Sequence, residues 1–230
     1  MYLSDFICSI SGITLDSRNR TDRLGSRSRT KRAEQKEPAL ILNKMLNSKK
    51  IILAVVGMPG SGKTEATKFF INKGFGRVYF GDITFEEMAR RNLEINEANE
   101  RKIREEIRKR HGMAAYAILS LPKIKEFYEK GNVVIESLYS WDEYKVIKNE
   151  FGDNFKVLAV YASPQTRYDR LISRPVRPFT KEEARSRDFA QIENLATAGP
   201  IAMADYAILN AGELPELFKE AEKVFKLLAR

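Results

Sequence analysis

Eight consecutive residues carry the densest chemistry in the chain: Gly57, Met58, Pro59, Gly60, Ser61, Gly62, Lys63 and Thr64. They match G-x-x-x-x-G-K-[ST], with an apolar run before them and a helix-forming stretch after them. Gly60 and Gly62 let backbone N–H groups converge on an anion without a Cβ in the way. The N-terminus of the following helix adds partial positive charge. Lys63 is spaced to reach β- and γ-phosphates and Thr64 to ligate Mg²⁺. The pattern predicts a site for a nucleoside triphosphate, and by itself it leaves open what is done with it.

A transferring phosphoryl group carries spread negative charge, so cations that close over the loop are wanted. Arg167, Arg170, Arg174, Arg177 and Arg187 lie in or beside a proline-punctuated segment suited to a closing lid. Helical spacing puts Arg167, Arg170 and Arg174 on one face. Arg174, Arg177 and Arg187 are the candidates for catalytic cations, whereas Arg170 and Arg185 also read as a solvated basic face. Asp82 follows the second strand-like segment, where a carboxylate would point into an acceptor site. A phosphate acceptor needs no base and a hydroxyl acceptor benefits from one, so Asp82 favours a hydroxyl. It also reads as a turn former before a helix. Arg90 and Arg91 are candidates for an acceptor's phosphate, with at least one expected on the helix surface.

The elements that must position these groups alternate. Residues 51–56 form a continuous apolar run, as in a strand buried on both faces. Further strands are expected at 77–80, 132–135, 156–161 and 205–209. Helices are expected at 63–72, 85–91, 97–110, 114–130 with a break near Pro122, 141–151, 163–174 and 214–228. In the third of these, Glu97/Arg101, Glu100/Arg104, Glu105/Lys109 and Glu106/Arg110 stand four apart, which makes the charges a solvated face and turns Ile103 and Ile107 inward. Ser163-Pro164 and Thr180 with Glu183 read as helix starts. The alternation predicts an α/β fold, a parallel sheet with helices on both faces, whose ligands bind beyond the carboxyl ends of the strands.

From residue 51 onward the chain resembles the P-loop kinases of nucleotides and small metabolites, in particular dephospho-CoA kinase and an adenylate-kinase-related archaeal family. Four stretches carry the resemblance: AVVGMPGSGKT at 54–64, FGDITFEEMARR at 80–91, ASPQTRYDRLISR at 162–174 with the run to Asp188, and ADYAILNAGELPEL at 204–217. The resemblance implies a three-layer P-loop NTPase fold, five parallel strands in the order 2-3-1-4-5, a helical acceptor-binding section after strand two and an arginine-bearing lid after strand four. It implies ATP and Mg²⁺ as cofactors, a nucleotide-like acceptor, and Asn210 beside the adenine loop. Related kinases carry Asp where this chain has Glu136 at the end of strand three, so Glu136 is the candidate, with Thr64, for holding the metal or its water. The expected activity is dephospho-CoA kinase-like; a nucleoside monophosphate kinase and a regulatory or nucleic-acid-associated P-loop ATPase are the alternatives.

Composition sets the outer bounds. In 230 residues, 40 Lys+Arg against 31 Asp+Glu give a net charge of +9. Residues 1–50 carry +6 of it and the remainder only +3. Residues 16–36 have one large apolar side chain, Leu24, and cannot offset their ordering entropy. Residues 1–47 are therefore expected to be a basic, largely disordered extension and 48–230 the kinase domain. A nucleic-acid partner is reachable only through that tail. One cysteine, Cys8, excludes a disulfide-stapled scaffold. No apolar run approaches the ~20 residues that span a bilayer, and a cytoplasmic protein is expected. The sequence sets no oligomeric state.

Overall fold

The computed structural model describes residues 50–175 and 178–229. The expected extension at 1–47, its boundary and Arg177 lie outside the described residues.

Five strands form one parallel sheet in the order β2-β3-β1-β4-β5. They are β1 (Ile52–Val56), β2 (Gly76–Tyr79), β3 (Val133–Glu136), β4 (Phe155–Tyr161) and β5 (Tyr206–Leu209). β1 is central: Ile52 stands opposite Val133 of β3 on one side and Phe155 of β4 on the other. Every residue of β1 is buried, because both edges are paired and both faces are covered. Ile52, Ala54 and Val56 join a core with Tyr116, Ile124 and Ile147. Leu53 and Val55 alternate to the other face. That second layer is built by α1 (Lys63–Asn72) and α9 (Leu214–Leu228), where Phe70, Phe75 and Phe225 meet edge-on. The expected α/β fold and strand order are both present.

The remaining helices are α2 (Asp82–Arg90), α3 (Glu97–His111), α4 (Ala115–Lys130), α5 (Trp141–Phe151), α6 (Pro164–Ser173), α7 (Lys181–Leu195) and the short α8 (Ala198–Ala202). Ser140 with Glu143 and Thr180 with Glu183 form reciprocal capping boxes at α5 and α7. Ser163 caps α6, with Pro164 at its first position. On α3, Ile103 and Ile107 are buried, as the charge pattern requires. Among the described residues no helix is long and apolar enough to cross a membrane.

Two local readings are corrected, and one helix is added. α2 begins at Asp82, not Phe85, because Gly81 is already right-handed helical (φ −64) and its carbonyl accepts from Thr84 N–H at 3.0 Å. α4 is not broken at Pro122. The carbonyl that loses its donor there is that of Ile118, an exposed residue where water can take the place of the missing N–H. The short α8 is an element that the sequence reading does not include. Pro200 sits in its first turn, where a helix has no intrahelical use for the N–H.

Because all five strands are parallel, their carboxyl ends share one edge of the sheet. Gly57 follows β1, Asp82 follows β2, Glu136 ends β3, Ser163 follows β4 and Asn210 follows β5. Parallel pairing thus gathers groups up to 153 positions apart in the chain along one rim.

Candidate active site

The phosphate-binding loop wraps the start of α1. Ser61 N–H donates to the Met58 carbonyl at 3.1 Å, and Lys63 Nζ donates to the same oxygen at 2.9 Å. Gly60 has φ +79, and a Cβ there would stand 2.6 Å from the Arg167 carbonyl oxygen. Gly62 caps α1 with φ +100 and offers no side chain to the first-turn N–H groups, so these face the loop unscreened. A Cβ at Gly62 would collide with the Asn210 amide.

Lys63 is partly buried, and its ammonium is lowered to about 8 from the usual 10.5. Burial is the main cause; the positive charges of Arg167 and Arg187 add to it, and Glu136 and Asp188 oppose it. A lysine held in this state gains most from an arriving polyanion. Such a ligand would replace the Met58 carbonyl with phosphate oxygens.

Thr64 and Glu136 are brought together: Thr64 Oγ1 donates to Glu136 Oε1 at 3.3 Å. The second oxygen of that carboxylate, Oε2, accepts from Arg77 Nε at 2.9 Å and Nη2 at 2.6 Å. A hydroxyl and a carboxylate oxygen at the head of a phosphate loop are hard donors of the kind that Mg²⁺ takes. The residues therefore fit the expected metal.

The three acceptor candidates are not gathered. Asp82 sits in the first turn of α2 and accepts from Lys123 Nζ at 2.9 Å. Arg90 is tied to Glu87 on the surface, with 67% of its side chain exposed. Arg91 bridges Glu87 and Glu106 at 2.6 Å each. Hydrogen bonds from Arg90 and then Arg91 hold the Glu87 carboxyl down at about 2. Arg90 and Arg91 line a groove of about 340 Å³ with Ile83, Ile107 and Leu119, which Asp82 does not line.

In the lid segment, Arg174 lies 4.3 Å from the Phe179 ring centroid and Arg187 5.9 Å from the same ring. Arg170 donates to the Gly212 carbonyl at 3.0 Å, joining α6 to the loop after β5. Asn210 is buried; its Nδ2 donates to the Ser61 carbonyl at 2.8 Å and its N–H to Tyr161 O at 2.7 Å. Its side chain thus braces the phosphate loop.

Sequence reasoning named Arg167 only as one of the lid-segment cations and missed Arg77 and Lys123. Arg167, 4% exposed, forms a two-pronged pair with Asp188 at 2.8 and 2.6 Å and donates to the Pro59 carbonyl at 3.1 Å. The Ser163-Pro164 start fixes the face on which Arg167 lies, but nothing in sequence couples it to Asp188. Arg77 carried a signal, a cation inside a short, mostly apolar strand. Lys123 carried none.

Comparison with known proteins agrees with this fold. A family model described as an AAA domain matches residues 53–190. A UPF0200 protein of Thermococcus kodakarensis is 35% identical over 178 residues, covering 76% of this chain and 96% of the relative. The chain belongs to the UPF0200 family. A second member, from Hyperthermus butylicus, is 32% identical over 186 residues, 80% of this chain and 98% of that protein. The fold of this UPF0200 chain is shared with solved kinases at low identity. Shikimate kinase from Bacteroides thetaiotaomicron superposes with TM-score 0.51 at 16% identity, over 78% of this chain and 99% of that one. A gluconokinase from Sinorhizobium meliloti gives 0.50 at 14% identity, over 79% and 95%. The UPF0200 body is thus a P-loop domain with a kinase-like fold.

Proposed function

We propose that this protein is an ATP- and Mg²⁺-dependent phosphotransferase that moves the γ-phosphoryl group to a nucleotide-like acceptor, as dephospho-CoA kinase does. The observation that carries this reading is the rim itself: a phosphate loop with a partly buried lysine, a hydroxyl–carboxylate pair beside it, and an aspartate just after β2.

In this reading the N–H groups of the loop and of the α1 N-terminus hold the β- and γ-phosphates. Lys63 leaves the Met58 carbonyl for the phosphate oxygens and takes up full positive charge there. Thr64 and Glu136 would hold the metal, which would supply charge neutralisation to the phosphates. Arg174 and Arg187 leave Phe179 as the lid closes and bring positive charge to the transferring group, with Arg177 from the same segment. Asp82 accepts the proton of an acceptor hydroxyl, and Lys123 orients its carboxylate until then. Cytoplasmic location and a basic extension at 1–47 ahead of the kinase unit belong to the same proposal.

The Lys123 cation favours a second reading. It lies at the acceptor end of the sheet and would attract an anionic acceptor, as a nucleoside monophosphate kinase requires. One assay separates the readings. The protein is incubated with Mg-ATP and either dephospho-CoA or a panel of nucleoside monophosphates. Phosphorylated dephospho-CoA, formed one for one with ADP, is the expected result. Nucleoside diphosphate as the product establishes the second reading. ATP loss with no phosphorylated acceptor, stimulated by RNA, overturns both in favour of a regulatory ATPase.

A further inference from the structure

We propose that Arg77 is a positioning residue for the metal: it fixes which oxygen of Glu136 faces Thr64 and so sets the Mg²⁺ requirement for nucleotide binding. The inference rests on the phosphotransferase reading above and deepens it.

Glu136 reaches the loop with one more methylene than an aspartate would have. The extra rotatable bond must be frozen for the carboxylate to meet a metal at one place, and ordering a free glutamate costs side-chain entropy. Arg77 does this freezing before any ligand arrives. Two of its donors, Nε and Nη2, converge on Oε2. That leaves Oε1 as the oxygen aimed at Thr64 Oγ1. The fork is itself held, because the guanidinium lies 4.8 Å from the centroid of the Tyr79 ring. Strand register explains the reach. Tyr79 stands opposite Glu136 and Arg77 opposite Val134, so Arg77 extends forward along the sheet by two residues to meet the carboxylate.

Arg77 is 44% exposed on an edge strand, so its end of the pair is screened by water, while the Glu136 side chain is only 11% exposed. What the pair provides is geometry, since an arginine fork accepts a carboxylate in few orientations. One oxygen is committed to Arg77 and one is presented to the loop, in the manner of outer-shell partners that orient metal ligands.

The test is Mg²⁺-dependent binding of a fluorescent ATP analogue to the full chain, read without turnover. For Arg77→Met, the Mg²⁺ concentration for half-maximal analogue binding should rise about tenfold or more, the usual cost of losing an outer-shell partner. Binding of the analogue in EDTA should be unchanged. Arg77→Lys keeps the charge but not the fork and should fall between. Combining Arg77→Met with Glu136→Gln should add little to Glu136→Gln alone. An unchanged Mg²⁺ requirement in Arg77→Met and Arg77→Lys overturns the assignment, and a lowered requirement does so too, since Arg77 would then be competing with the metal. Wild-type protein that binds no Mg-nucleotide overturns the phosphotransferase reading itself, which the wild-type titration shows separately. If Arg77→Met does not fold, Arg77→Lys and Glu136→Gln decide the matter alone.

Discussion

Arg167 on α6 and Asp188 on α7 form a buried, two-pronged ion pair at 2.8 and 2.6 Å, and the same guanidinium donates to the Pro59 carbonyl inside the phosphate loop. One side chain therefore ties the two helices flanking the lid segment to the backbone that would cradle phosphate. Breaking such a pair by removing one partner strands a buried charge, at a cost of about 3–5 kcal/mol. Arg167→Met should lose that much in urea unfolding. Arg167→Met/Asp188→Leu should regain a large part of it, because no charge is left behind. Nucleotide affinity should fall in both variants, since both lack the bond to Pro59.

Lys63 gives a signed pH dependence. Its folded value, about 8, lies below the ordinary 10.5. Between the two the unfolded chain holds the extra proton, so this group's contribution to stability rises as pH climbs from about 8 to about 10.5. Nucleotide binding runs the other way. Phosphates favour the ammonium, so affinity should fall as pH rises above about 8, and binding there should take up a proton. Calorimetry at pH 9 in two buffers of different ionisation heat measures the uptake. Lys63→Met should abolish it.

Asp82→Asn separates base from bystander. With a hydroxyl acceptor, loss of the base should lower kcat by about 10²–10⁴-fold. With a phosphate acceptor the rate should be nearly unaffected. Equal rates for wild type and variant on a hydroxyl acceptor would remove the base role. The Asp82–Lys123 pair is partly exposed, so the change should leave stability within about 1 kcal/mol.

Gly60→Ala tests the loop's backbone. The residue would need to keep φ +79 with its Cβ against the Arg167 carbonyl. The left-handed conformation alone costs about 1–2 kcal/mol, and the collision must shift either the loop or α6. Nucleotide binding should be lost or severely weakened, read by the same fluorescent titration, with a lowered melting temperature.

Much of this architecture was legible in the chain. The run at 51–56, the glycine pattern after it and the Ser163-Pro164 start are local signals, and each corresponds to an element of the structure. They are legible because burial on both faces, phosphate-loop turns and helix caps each demand particular residues at fixed short spacing. The start of α2 and the continuity of α4 were misread, because Gly81 takes helical backbone angles and the carbonyl left without a donor by Pro122 is on an exposed residue.

Side-chain partnerships were another matter. Arg90 and Arg91 are as basic as any ligand-binding pair, yet Glu87 and Glu106 hold them on the surface of α2. Asn210 turns to the Ser61 carbonyl, 149 residues away in sequence. The sequence by itself determined the fold class, the strand order through its resemblance to P-loop kinases, and the phosphate loop. Only the tertiary structure decided that Arg77 aims Glu136, that Lys123 holds Asp82 and that Arg167 joins Asp188 to Pro59. The physical reason is range. Backbone conformation answers to neighbours a few residues away, whereas a charged side chain takes whichever partner the parallel sheet brings within about 3 Å, and sequence separation does not enter that choice.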